Sequence, residues 1–229
     1  MIYEPIDQKH FVEFVEQDNG KKKRLMDGKY HFPSVSKILG DTADKTAIEE
    51  WRKRVGDKEA DRICRMSTNR GNAFHKLIEN KLKKNEEPKA PLPHVKKMYD
   101  GVRQVLTDRT TRIIANELPL YSKVLGVQGI VDLVAEFDGK LSVIDLKGSK
   151  KPKKDEWIEE YYIQCAIYAM MWNELYSSDH GSIDQIVTLV AIDPSQCSYA
   201  TDPQVFTKSS KKYIPTVIER VREYYTLQG

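Results

Sequence analysis

The stretch that decides the fold runs Gly126-Val127-Gln128-Gly129-Ile130-Val131-Asp132-Leu133-Val134-Ala135-Glu136-Phe137. It continues through Asp138-Gly139 into Lys140-Leu141-Ser142-Val143-Ile144-Asp145-Leu146-Lys147. Runs this rich in Val, Ile and Leu predict strands over 126–137 and 141–147, and the Asp-Gly pair predicts a tight hairpin turn between them. Each strand carries one carboxylate, Asp132 or Asp145, inside an otherwise apolar run. A buried charge is costly unless it is paired or metal-bound. Residues two apart on a strand share a face, so Asp145 and Lys147 project together, and the hairpin lays Asp132 alongside them. Two convergent carboxylates suit a hard divalent cation such as magnesium. A neighbouring ammonium can hold a water or steady negative charge on a phosphate. The competing reading is a buried Asp–Lys ion pair that only holds the hairpin together.

Working outward, residues 112–121 read as a preceding strand, 157–176 as a long amphipathic helix, and 185–192 as a fourth strand ended by Asp193-Pro194. A last helix is expected from Pro203 or Lys208 to Tyr225. Towards the N-terminus, the alternation at Phe11–Val15, a turn at Asn19-Gly20 and a return towards Tyr30 predict a hairpin. Ser34 is placed to cap a short helix from Val35 to Leu39, with Gly40 as its stop. Helical patterns follow from Thr46 towards Met66, then from about Thr68 with Ala73, Leu77, Ile78 and Leu82 on one stripe, then over 94–106 after a proline-containing linker. The core order α-β-β-β-α-β predicts an α/β fold, a mixed central sheet flanked by helices. The expected division is an N-terminal hairpin and helical arm over 1–66, packed on a core over 67–229.

The chain has 229 residues, enough for a full hydrophobic core, and 37 Lys+Arg against 34 Asp+Glu, too balanced to prove nucleic-acid binding on its own. The basic residues are clustered, however, at 21–24, 52–54, 150–154 and 208–212. Cys64, Cys165 and Cys197 are scattered, which excludes a paired zinc site, an iron–sulfur cluster and a disulfide framework, and fits a reducing compartment. The first ten residues carry Glu4 and Asp7 and lack an apolar signal segment, and no apolar run reaches membrane-spanning length. The expectation is a cytoplasmic protein of a bacterial or phage-infected cell, with no membrane partner.

The combination Gly129-Ile130-Val131-Asp132, Val143-Ile144-Asp145-Leu146-Lys147, Gln164 and Tyr168 resembles the PD-(D/E)XK nuclease superfamily, and within it the RecB-type nuclease domain. Phe32-Pro33-Ser34-Val35-Ser36-Lys37-Ile38-Leu39 resembles the N-terminal motif of a group within it, the mitochondrial genome maintenance exonucleases and their phage and bacterial relatives. The resemblance implies a restriction-endonuclease-like fold and a DNA exonuclease acting on single-stranded ends, with Mg2+ or Mn2+ as cofactor, single-stranded DNA as partner and an open question of 5′ preference. Asp132, Asp145 and the backbone carbonyl of Leu146 would be metal ligands, and Lys147 would orient the attacking water or stabilise the transition state. His75 matches the family's helix histidine, which often adds a ligand. Glu79, one turn later, would support that site or pair with a surface lysine. Glu117 would lie near the metals or on the surface.

By the same resemblance, Gln164 and Tyr168, four apart on one helix face, would sit beside the scissile phosphate. Ser34, Ser36 and Lys37 at a helix start would contact the strand, with plain capping by Ser34 the alternative. Lys150, Lys151, Lys153 and Lys154 would guide its backbone. Trp157 and Tyr161 are either stacking platforms or core. The chain departs from the family after the lysine, where Gly148-Ser149 stands in place of the usual threonine. The rival readings are an endonuclease of the same superfamily and a catalytically silent DNA-binding module.

Overall fold

The hairpin forms as its sequence dictates: Asp138 and Gly139 both adopt positive φ, 49° and 74°, as the tight turns that match strand twist require. It lies at the centre of a computed structural model that describes residues 2–16, 22–195 and 202–229. The Asn19-Gly20 turn, Lys21 and Cys197 lie outside the described residues.

In chain order the elements are β1 (Ile2–Tyr3), β2 (Val12–Glu16), β3 (Lys22–Met26), α1 (Val35–Thr42), α2 (Thr46–Val55), α3 (Asp57–Lys84) and α4 (Pro93–Arg109). Then come β4 (Thr110–Ser122), β5 (Val127–Phe137), β6 (Lys140–Ser149), α5 (Glu159–Leu175), α6 (Ser177–His180), β7 (Gln185–Ile192), β8 (Gln204–Ser209) and α7 (Ile214–Leu227). The main sheet has the order β1-β4-β5-β6-β7-β8, and β2 and β3 form a separate antiparallel pair. β5 is antiparallel to both its neighbours, β4 and β6, whereas β6 and β7 are parallel, joined by the α5 crossover. The sheet is therefore mixed and flanked by helices, the restriction-endonuclease-like arrangement. One core fills the space between the sheet and α1, α5 and α7, with Leu118, Val131, Ile163, Trp172 and Val217 among its buried members. The other lies under α3 and α4, with Phe74, Leu77, Tyr99, Leu133 and Ile144. Each such side chain contributes about 1.5–3 kcal/mol on burial.

Four details differ from the sequence expectation. α1 runs through Gly40 to Thr42, whose hydroxyl bonds back to the Ile38 carbonyl at 2.8 Å. The helix break expected near residue 67 lies instead at Gly56, which takes φ +83°, and α3 passes through Thr68 unbroken. Arg52 bridges that corner to Asp57 at 3.0 Å and to Asp61 at 2.5 Å. α5 is not amphipathic: Tyr162, Ile163, Cys165, Ala166, Ile167, Tyr168, Ala169, Met171 and Trp172 are all buried, because the sheet covers one side and α1 and α7 cover another. Finally, residues 204–209 form an edge strand antiparallel to β7 before a short 3-10 turn leads into α7.

Candidate active site

The site is built where the β5–β6 hairpin opens into a fork. Its ladder runs from Phe137↔Lys140 to Leu133↔Ile144 and stops there. β5 continues to pair with β4 as far as Val127↔Ser122, and β6 with β7 as far as Ser149↔Ile192. Asp132 and Asp145 are the next residues on the two sides of the opening. Backbone groups freed from a ladder need other partners. The Leu146 amide donates to Asp132 Oδ2 at 2.8 Å, and the Leu146 carbonyl lies 2.7 Å from His75 Nε2 on α3. His75 Nδ1 stands 3.5 Å from Asp132 Oδ1.

Glu117 joins from β4, opposite Asp132 in register. It takes φ +52°, a strained value for a glutamate inside a strand. One donor atom from each of His75, Glu117 and Asp132 lies within 4.8 Å of the others. Asn116, beside Glu117, donates to the Asp132 carbonyl at 3.3 Å. Sequence reasoning missed Asn116. Its signal was a second polar residue in an apolar strand.

On the other side of the fork, Lys147 Nζ donates to Asp145 Oδ1 at 2.8 Å and to Gln164 Oε1 of α5 at 3.2 Å. The Tyr161 ring lies 5.1 Å from the same ammonium. Asp145 is 2% exposed, and its second oxygen, Oδ2, is buried without a hydrogen-bond partner. An orphan carboxylate oxygen on one arm of the fork and the His75, Glu117 and Asp132 cluster on the other offer donors of the kind a divalent cation takes. The residues therefore fit a divalent metal ion.

The electrostatics follow from burial set against neighbours. Burial pushes the Asp145 carboxyl up to about 6, with Lys147 pulling it back and Asp132 pushing it further. Burial works against the Lys147 ammonium, but Asp145 and Asp132 outweigh it, so Lys147 stays protonated. Burial also raises Asp132, yet His75, Lys147 and the Leu146 amide bring its net shift below the ordinary value. Burial lowers His75, and Asp132 and Asp145 overcome that and raise it. Glu117 is raised by burial first and by Asp132 second.

The other expected site residues divide. Tyr168 is buried beside the site, where it packs on Gly129: a Cβ built there would lie 2.7 Å from Tyr168 Cε1. Glu79 is held by Lys76 and Lys83, each at 2.8 Å, and the structure does not bring it into the His75 cluster. Ser34 caps α1, accepting from the Lys37 amide at 3.1 Å, while Lys37 Nζ pairs with Asp41 at 2.7 Å and Ser36 is exposed. This helix start is tied to β5 by the Gln128 amide, which donates to the Pro33 carbonyl at 3.0 Å. It thus sits four residues along β5 from Asp132, about 13 Å at strand rise.

The basic loop leaves β6 after Ser149, two residues beyond Lys147. Its backbone is clamped at Lys153 by the Gln204 side chain, at 2.6 and 2.9 Å, and Lys151 and Lys154 are exposed. Trp157 is 63% exposed with Lys154 over its ring, so it is not core.

Comparison with known proteins bears on this geometry. The mitochondrial genome maintenance exonuclease 1 of Mus musculus is 33% identical over 129 residues, 53% of this chain and 38% of the relative. The Homo sapiens protein of the same name is 32% identical over 130 residues, with the same shares. The Xenopus tropicalis protein is 32% identical over 133 residues, 53% of this chain and 37% of the relative. The chain thus spans well under half the length of the curated relatives it matches. The sequence model of the PD-(D/E)XK nuclease superfamily matches residues 47–225, which takes in both arms of the fork, α3 and α5. With the mixed sheet, the split hairpin and that match in hand, the chain belongs to the PD-(D/E)XK nuclease superfamily.

Proposed function

We propose that the chain is a divalent-metal-dependent DNA exonuclease that hydrolyses phosphodiester bonds from single-stranded ends. The observation that carries this reading is the fork itself. Two carboxylates, Glu117 and Asp132, cluster with the His75 imidazole, and on the facing arm Asp145 pairs with Lys147 while its Oδ2 is left without a partner. His75, Glu117, Asp132 and Asp145 would hold magnesium or manganese, with the Leu146 carbonyl as a further donor once His75 turns from it. The ion, when bound, supplies Lewis acidity and lowers the pKa of water.

The chain's own groups do the rest. Lys147, 2.8 Å from Asp145, orients the attacking water or stabilises charge developing on the phosphate. Gln164 fixes the direction of its ammonium, and Tyr161 closes the side of the site. Tyr168 packs on Gly129 beside the fork, where it would flank the scissile phosphate. Lys150, Lys151, Lys153 and Lys154 guide the strand backbone, and Ser34, Ser36 and Lys37 meet the strand further along β5. Action at strand ends accords with the relatives' exonuclease name, and a helix start as phosphate seat would favour a 5′ end. The segment ahead of α3 serves as the arm over the core, α3 itself running unbroken through residue 67. Cys64 and Cys165, both free thiols, suit a reducing compartment such as the cytoplasm of a bacterial or phage-infected cell.

The test is nucleotide release from a linear single strand in magnesium or manganese, compared with Asp145→Ala and Lys147→Ala. Release by the natural chain alone is expected; equal release by all three would remove the fork from the chemistry. A covalently closed single-stranded circle should survive. Cleavage of the circle as fast as the linear strand would make the enzyme an endonuclease.

A further inference from the structure

Opposite residues of an antiparallel pair share a face, as do residues two apart on one strand. On β4 and β5 this creates a row leading away from the fork: Glu117 with Asp132, then Pro119↔Ile130, then Tyr121↔Gln128. Pro119 and Gln128 are buried and Ile130 is only partly covered. The row ends on a cluster of three rings. Tyr30 and Phe32 are parallel within 7° at 5.8 Å, and both stack over Tyr121, at 5.5 and 6.3 Å. Tyr121 is 2% exposed and anchored through its hydroxyl to Asp27 at 2.8 Å, whereas Tyr30 and Phe32 are partly open. Gln128 ties the Phe32 carbonyl to β5, which fixes the cluster to the same sheet as the carboxylates. Two ammonium groups border it: Lys123 Nζ lies 4.7 Å from the Tyr30 ring centre and Lys29 Nζ 5.4 Å.

Partly exposed, rigidly backed rings with cations at their rim are the parts of a site that stacks nucleobases and pairs the intervening phosphates. We propose that Tyr30 and Phe32, with Lys123 and Lys29, form a base-stacking platform for the single strand. The platform lies about 13 Å along β5 from Asp132, within reach of a strand a few nucleotides long whose end lies in the fork. It holds the strand through its bases, independently of sequence, while the basic loop after Lys147 holds it through phosphate. The proposal rests on the reading of the fork as a nuclease centre for single strands.

The experiment measures binding of two labelled strands of equal length by fluorescence anisotropy in EDTA, so that no cleavage occurs. One is oligothymidylate; the other carries only abasic sugar-phosphate. The natural chain should bind the thymidylate strand about tenfold more tightly or better. Tyr30→Ala and Phe32→Ala should lose most of that preference while binding the abasic strand as before, and Tyr30→Phe should keep it. Lys123→Glu, on the surface, should weaken both strands and lower the salt slope by about one. Equal binding of the two strands by the natural chain, or a preference that survives Tyr30→Ala, overturns the platform. Nucleotide release by the natural chain in manganese, measured in parallel, separates the two readings. No release removes the nuclease centre, whereas release without base preference removes the platform alone.

Discussion

Gly129 is the residue whose absence of a side chain the site uses most directly, and Gly129→Ala tests that. A Cβ at this position would meet Tyr168 Cε1 at 2.7 Å, Tyr168 Oη at 3.1 Å and Val35 Cγ2 at 3.1 Å. Neither neighbour can swing aside into solvent, since Tyr168 is 5% exposed and Val35 1%. Overpacking of this kind costs about 1–3 kcal/mol, against a gain of roughly 0.5–1 kcal/mol from replacing glycine within a strand. The clash wins, by about 1–2 kcal/mol, and at roughly 2–4 °C per kcal/mol the melting temperature should fall by about 2–8 °C. Gly148→Ala is the control: its Cβ would meet only Met98 Cε, the end of a flexible side chain, at 3.1 Å, so its melting temperature should stay near that of the natural chain. Thermal melts by circular dichroism give the shift, and a cycle with Tyr168→Leu should show a coupling of about 1 kcal/mol or more. If Gly129→Ala melts with the natural chain, or its effect simply adds to that of Tyr168→Leu, the close approach of Tyr168 to β5 is wrong.

Lys147→Met should lower nucleotide release by about 10²–10³-fold, the usual loss for one charge-stabilising group, with strand binding in EDTA little changed; a variant keeping a tenth of the rate or more would contradict the role given to the ammonium. Glu117→Gln should raise the manganese concentration needed for half-saturation by about tenfold, and Glu79→Gln should not move it; calorimetry reads both, and equal effects would relocate the site. Burial raises the Asp27 carboxyl, but bonds from His10, Tyr121 and the Phe11 amide bring it below its ordinary value. Its contribution is therefore fully present above the unfolded value of about 3.9 and is lost as pH falls through the lower folded value. Asp27→Asn should melt below the natural chain at neutral pH and converge with it in acid; a gap that widens on acidification would reverse the sign.

The hairpin, its Asp-Gly turn and the shared face of Asp145 and Lys147 were legible because strand period and turn chemistry are local. The helix break was less so. Gly56 and Gly71 are both glycines in helical surroundings, and only the tertiary path decides that the first turns a corner at positive φ while the second stays inside α3. β8 lies where the sequence predicts a helix start at Pro203 or Lys208, because a six-residue edge strand, half-exposed on both faces, has no clear alternation to display. The sequence predicts an amphipathic α5, yet the layers that cover it come from residues far away in sequence. At the site, composition indicated which side chains carry charge. It could not indicate that Glu79 would be held by two lysines while Glu117 turned inward on a strained backbone.

The fork explains why these charges can coexist. Had the β5–β6 ladder continued in register one pair further, Asp132 would face Asp145 directly, and like charges so placed are destabilising. Opening the strands gives each carboxylate its own partner instead: the Leu146 amide and His75 for Asp132, Lys147 for Asp145. The separation is incomplete, because Glu117, Asp132 and Asp145 together still outnumber Lys147 and His75. The remaining negative charge is a standing cost in the metal-free fold, and a divalent cation bound there must stabilise the folded state over the unfolded one. At a free concentration of about 100 times the dissociation constant the gain is about 2.7 kcal/mol, which for a chain of this size raises the melting temperature by roughly 5–11 °C. Manganese should give that rise in the natural chain and a much smaller one in Asp132→Asn. A melting temperature indifferent to manganese would mean that the fork settles its charge without a metal, and the donor set read from it would have to be abandoned.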